Sequence, residues 1–203
     1  MVKFIFLYKI SYENVLRDYM INTTEQKILN AALKMFALKG YKGATTMVIA
    51  EEAGFSEKTL FRRFKTKKNL YNMVLLNNAE KFKEYLGKSV FVDRDFDNSQ
   101  EFLDHYIRNL AKGYLDNFEF FNLSINEPNE VLESTMENTV DFIGAYLENN
   151  IHNPNIDYKI FGLSISSFIY TLCIEKYMGR TYLDFDETLD RFVKHCTNIV
   201  MKF

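Results

Sequence analysis

The sequence predicts an all-α protein, and three observations carry that prediction. Apolar side chains recur three and four residues apart through long stretches, the period of one helix face. Only 2 Pro and 8 Gly interrupt 203 residues, too few breaks for a turn-rich β fold. No stretch alternates apolar and polar residues as a half-buried strand would, and no internal repeat appears. An apolar content of 47% with 16% aromatic argues against disorder and leaves enough to bury a core, in one domain or two small ones.

The elements follow in order. Residues 1–22 do not join the pattern that begins at Thr23. Two readings of them stand: Met20 is the natural start and residues 1–19 are a product of gene annotation, or Tyr12 to Tyr19 forms a short extra helix. The mass of the natively expressed protein separates the two. A helix from Thr24 to Lys39 takes Thr23 or Thr24 as its cap, with Gln26 three residues after Thr23 as in a capping box. Ile28, Ala31, Ala32, Met35 and Phe36 form its buried face, and Gly40 closes it. Two short helices follow, Thr46 to Ala53 capped by Thr45 and Glu57 to Phe64 capped by Ser56.

These two helices are spaced to cross closely. Ala50 supplies the small residue a close crossing needs, and Gly54 the positive φ of a tight turn. Leu60, six residues on, closes the small core. Small, glycine and apolar at this spacing, between two capped helices, is the pattern of a helix-turn-helix. The next helix runs from Thr66 to Gly87 with Leu70, Val74, Leu75, Ala79, Phe82 and Leu86 along one side. It is too long to belong to that motif alone.

A polar stretch, residues 92–101, then reads as a loop. The helix from Ser99 to Asn117 carries a stripe of Phe102, Tyr106, Leu110, Tyr114 and Phe118. Residues 117–126 form a short helix or turn, and Pro128 suits the start of a helix reaching Asn150. Asn153-Pro154-Asn155 is a turn. A helix from Asp157 to Met178 is apolar or small on every side between Ile160 and Ile174, so it is expected to be buried all round. Ser164, Ser166 and Ser167 would let another helix come close. In the last helix, Asp186 to Met201, Leu189, Phe192, Val193, Cys196, Ile199, Val200 and the adjoining Phe203 alternate three and four apart, a seam for a partner helix.

Charge divides the chain. Residues 24–70 hold ten Lys and Arg against four Glu, a net of +6, while the remainder nets −8. Such an asymmetry points to nucleic acid for the basic part. The longest uncharged run, Ile160 to Ile174, has 15 residues, short of the roughly 20 a membrane helix needs. The two cysteines, Cys173 and Cys196, sit in apolar patterns and read as buried free thiols in a reducing cytoplasm. His105, His152 and His195 are scattered and form no metal-ligand spacing, so neither a metal nor an enzyme is expected. His195 and Cys196 are helix neighbours whose side chains diverge. Glu175, at the end of the apolar helix, either meets solvent or contacts a cationic ligand.

With Ala-x-x-x-Gly, Ser-x-x-Thr-Leu-Phe and Phe-x-Thr-Lys all present, AALKMFALKGYKGATTMVIAEEAGFSEKTLFRRFKTKKNL resembles the DNA-binding domain of the tetracycline-repressor (TetR) family. The resemblance spans Thr24 to about Leu75; beyond it only helix number and order are similar. It implies about nine helices, a three-helix DNA-binding head at 23–70 and a ligand-binding and dimerisation body at 71–203. It implies that Thr46 and Lys67 contact phosphates and that Glu57, Lys58, Thr59, Phe61, Arg62 and Arg63 line the recognition helix. In two places this sequence departs from the pattern: Phe61 replaces a usual Tyr and loses its hydroxyl, and Glu57 is acidic where it faces DNA.

The family's body implies an apolar pocket, for which Tyr85, Phe102, Tyr106, Tyr114, Phe118, Phe121, Phe142, Tyr146 and Tyr170 are the candidates, and an apolar or aromatic effector. It also implies a homodimer through the last two helices, for which Phe161, Ile165, Phe168, Leu172, Leu189, Phe192, Cys196 and Val200 are the candidates. The function expected is a cytoplasmic repressor released from a pseudo-palindromic operator by a small molecule, with no cofactor. The competing expectation is a ligand-sequestering or scaffold protein with a vestigial head.

Overall fold

The computed structural model describes residues 23–126, 139–180 and 182–202, and among these every regular element is helical. The elements are α1 (Thr23–Gly43), α2 (Thr46–Glu52), α3 (Glu57–Phe64), α4 (Lys67–Tyr85), a π-helical turn (Leu86–Val90), α5 (Ser99–Asp116), α6 (Phe118–Asn126), α7 (Thr139–Ile151), α8 (Tyr158–Tyr177) and α9 (Phe185–Met201). The all-α prediction holds, as does the count of about nine helices. The N-terminal extension, with its helix from Tyr12 to Tyr19, and the helix start at Pro128 lie outside the described residues.

Two compact units divide the chain, Met1–Tyr71 and Asn72–Phe203, so the boundary falls inside α4. In the first unit, α1 packs on α2 and α2 on α3. The expected face of α1 is buried: Ile28, Ala31, Ala32, Met35 and Phe36, joined by Leu29. Gly40 interrupts the helix at φ 68°, a conformation an L side chain rarely adopts. The chain then turns so that Tyr41 meets Phe36 and Tyr71, with ring centroids 5.0–5.8 Å apart. This aromatic trio, absent from the sequence reading, extends the small core formed by Ile49, Ala50, Leu60 and Phe64.

The link from α3 to α4 is tight. Thr66 N donates to Phe64 O at 2.7 Å across Lys65, which sits at φ 64°, ψ −47°. A three-residue turn of this hand is strained for any residue bearing a Cβ. Lys65→Gly is therefore expected to raise stability by about 1 kcal/mol. Chemical denaturation should show a higher midpoint at unchanged slope, and a lower midpoint would contradict the strain.

In the second unit, α5 is the centre: α6, α7, α8, α9 and the π-helical turn all pack against it. Phe102, Leu103, Tyr106 and Ile107 are fully buried on its inner side. α8 lies on α7 and α5, and Gly162 makes the α7–α8 approach possible, since a Cβ there would meet Ile143 Cγ2 at 2.3 Å. Cys173 and Cys196 are buried free thiols, and burial pushes both up to about 12.

Two expectations for α8 and α9 need correction. α8 is not buried all round: Ile160, Leu163 and Phe168 are 60%, 41% and 37% exposed, and Ser164, Ser167 and Thr171 share that outward side. Conversely, Ile165, Leu172, Leu189, Cys196 and Val200, expected at a dimer seam, are packed into the core of their own unit, which leaves Phe161, Phe168 and Phe192 as the seam candidates with surface to offer. A helix apolar on every side carries no periodic mark of which face turns inward. The apolar seam of α9 packs within its own unit, mainly against α5 and to a lesser extent against α8.

Candidate functional site

The helix-turn-helix is built from local hydrogen bonds. Thr45 Oγ1 accepts from Val48 N and Ser56 Oγ from Thr59 N, each at 3.3 Å, so both short helices begin with a side-chain cap. Between them Gly54 takes φ 76°, while Phe55 N donates to Ala50 O at 2.8 Å. Ala50 and Leu60 are buried on the inner side, which turns the opposite face of α3 outward.

That outward face carries Glu57, Lys58, Phe61, Arg62 and Arg63, all exposed, with Thr59 half-buried. Phe61, at 41% exposed, is a large apolar ring left in water. Thr46 and Glu57 come together: Thr46 Oγ1 donates to Glu57 Oε1 at 2.6 Å. Arg63 is drawn aside, with Nη1 3.1 Å from Glu25 Oε1 at the start of α1. Lys67 lies over the Tyr41 ring, 4.6 Å from its centroid, and reaches Lys42 O at 3.5 Å. Neither the Arg63–Glu25 pair nor the Thr46–Glu57 bond was legible in the sequence. Both join residues 11 or more positions apart on different helices, and charge counts carry no such signal.

The body's aromatic candidates fall into two groups. Tyr146 stands 5.0 Å from Phe91, 5.6 Å from Phe102 and 6.2 Å from Tyr106, with Phe142 against Phe91 at 4.8 Å. The Tyr146 hydroxyl donates to Val90 O or Val92 O at 3.1 and 3.3 Å, pinning the chain after the π-helical turn. In the second group Tyr114 and Phe121 stand 4.7 Å apart, with Tyr170 6.1 Å from Tyr114. Phe82 joins them 4.7 Å from Phe121, and Phe118 stacks on Tyr170 and Tyr177. Tyr85 OH donates to Asn109 O at 2.8 Å. Phe82 and Phe91 were missed as candidates. Phe82 shares the apolar stripe of α4, and Phe91 follows the π-helical turn, between the expected end of that helix at Gly87 and the loop expected from residue 92.

Where the two groups meet, Ser166 lies beside the hydroxyls of Tyr106 and Tyr114. Tyr106 OH and Ser166 Oγ are buried and complete no hydrogen bond among the described residues. Burial raises the Tyr106 and Tyr114 phenols above their ordinary range, so both remain neutral donors. Glu175 is engaged by Arg180 Nη1 at 2.8 Å and by the Tyr182 hydroxyl. No described helix is long and apolar enough to cross a membrane. Among the described residues no three His, Cys, Asp or Glu side chains gather as a metal would require.

Comparison with known proteins agrees with this geometry. The family described as bacterial regulatory proteins, tetR family, matches residues 28–74, the stretch holding most of α1 through the first half of α4. An uncharacterized HTH-type transcriptional regulator of Bacillus subtilis (strain 168), YvkB, is 46% identical over 56 residues, 28% of this chain and 30% of that protein. The HTH-type transcriptional repressor AcnR of Corynebacterium diphtheriae is 29% identical over 79 residues, 39% of this chain and 42% of the repressor. The matched stretches thus span less than half of either relative. The fold reaches further: a tetR-family regulatory protein from Rhodococcus RHA1 superposes with a TM-score of 0.69 at 19% identity, over 88% of this chain and 97% of that one. The head, residues 28–74, thus matches the tetR family of bacterial regulatory proteins, and the chain as a whole shares the fold of a solved tetR-family regulator.

Proposed function

We propose that the protein is a cytoplasmic, homodimeric repressor that binds a pseudo-palindromic operator through two helix-turn-helix heads and leaves it when a small molecule enters the body. The observation that carries this reading is the outward face of α3, where Lys58 and Arg62 are exposed on a helix whose opposite side is anchored by Leu60 and Phe64. Arg62 would read guanine through its paired acceptors, while Thr46, Thr59 and Lys67 contact phosphates or base edges. Phe61 would pack against the sugar-phosphate surface, and Arg63 would serve mainly to hold α3 to α1 through Glu25.

The effector would be apolar or aromatic with at least one hydrogen-bond acceptor. The aromatic walls supply the apolar contact, and the Tyr106 and Ser166 hydroxyls offer donors without a partner. Effector binding would change the separation of the two heads. Half-sites read by one dimer lie about 34–36 Å apart or a multiple of it, so a small change of separation disfavours the complex. A coupling of about 1–3 kcal/mol gives an effect of roughly 5- to 150-fold.

Arg62→Ala tests the assignment at the base level. It is expected to weaken binding to the selected operator by about 10- to 100-fold while leaving binding to unrelated duplex and thermal stability nearly unchanged. Fluorescence anisotropy against both duplexes measures this. Retained discrimination would remove Arg62 from base reading, and weak binding at every sequence tried would favour the vestigial-head alternative.

A further inference from the structure

We propose that Thr46 and Glu57 form a latch that makes the phosphate contact of the head depend on the base its recognition helix meets; this rests on the reading of the head as a DNA-binding element. Thr46 opens α2 and Glu57 opens α3. Thr46 Oγ1 gives its proton to Glu57 Oε1 at 2.6 Å, the short length of a bond to a charged acceptor. A hydroxyl has one proton to donate, so Thr46 cannot serve this carboxylate and a phosphate oxygen together. The carboxylate therefore stands where a phosphate oxygen would stand, with the same charge sign.

Among the described residues no Lys or Arg pairs with this carboxylate. Arg63, a basic side chain of the same helix, has Nη1 on Glu25 at 3.1 Å. A phosphate approaching Thr46 consequently meets an acidic group and an already committed donor, and binding to an arbitrary sequence is discouraged. The latch opens when Glu57 finds a better donor. In the major groove that donor is an exocyclic amino group, above all N4 of cytosine, which a Glu side chain accepts from directly. Glu57 then leaves Thr46, whose proton becomes available to the backbone. Base reading and phosphate contact are gained together or not at all, so Glu57 raises specificity and lowers indiscriminate affinity.

A double-mutant cycle on the full-length protein tests this, with anisotropy on a fluorescent random-sequence duplex at low salt. Glu57→Ala, which removes the acceptor together with the charge, is expected to bind that duplex about fivefold more tightly than the wild type, the size of one partly screened charge contact. In a Thr46→Val background the same change should gain less than about twofold, because no hydroxyl remains to be released. Glu57→Gln, whose amide oxygen can still accept from Thr46, separates loss of charge from release of the hydroxyl, and circular dichroism checks that each variant is folded. Equal gains in both backgrounds would show that charge alone acts and would overturn the latch, as would an E57A protein that binds no more tightly than the wild type. A folded wild type that binds no duplex at all is a separate outcome, seen before any variant is compared; it would remove the DNA-binding reading and the latch with it.

Discussion

In the proposed homodimer, Phe168→Glu is expected to leave the protein monomeric. Phe168 stacks on Phe192 with ring centroids 3.9 Å apart and an angle of 15° between planes, yet it remains 37% exposed. Ile160 and Leu163 lie further along the same outward face of α8, with the small Ser164 and Ser167 between Leu163 and Phe168 and Thr171 just beyond. A row of apolar and small residues left in water on one helix is a surface built to be covered. In a two-fold dimer the patch meets its own copy, so one substitution introduces two carboxylates into the same interface. Burying them unpaired is unfavourable by several kcal/mol, more than a small helical interface can absorb. Sedimentation velocity at micromolar concentration should show a monomer, with the helical circular dichroism signal retained. Operator affinity should fall by about 10²- to 10⁴-fold as the second half-site ceases to be linked to the first. A dimer of unchanged sedimentation would remove this face from the interface.

DNA binding is expected to weaken steeply with salt. The basic segment 24–70 carries a net +6 while the rest of the chain carries −8, so attraction to a polyanion is confined to the head. For a dimer with about six phosphate contacts, affinity should drop about 10³-fold between 50 and 200 mM salt. The same charge map predicts that the isolated acidic body has no affinity for duplex at any salt. Titrations at a series of salt concentrations give the slope directly, and a nearly flat slope would contradict backbone contact by Lys58, Lys67 and their neighbours.

The head was far more legible than the body, and the reason is physical. Local rules determine most of it: Thr45 and Ser56 cap their helices, Gly54 turns at positive φ, and Ala50 and Leu60 close a core within eleven residues. What local rules cannot show is which charged side chains find each other across helices, and so Arg63–Glu25 and Thr46–Glu57 appeared only in three dimensions. In the body the signal was composition without direction. α8 is apolar or small on every side, so its sequence does not mark which face turns inward, and the burial of Ile165 and Leu172 and the exposure of Ile160 and Leu163 emerge only in the fold. The aromatic stripe of α5 was read correctly as buried at Phe102 and Tyr106. Its convergence with Ser166 depends on how α8 crosses α5, which no periodicity encodes.

Selection from a library of random-sequence duplexes, using the purified full-length protein, tests the central claim most directly. A dimeric repressor should enrich one motif with two-fold symmetry, its half-sites centred about one helical turn or a multiple apart. Each half should contain a guanine whose replacement is tolerated by Arg62→Ala but not by the wild type. Failure to enrich any sequence, or enrichment of a motif without two-fold symmetry, would contradict a dimeric operator-binding repressor.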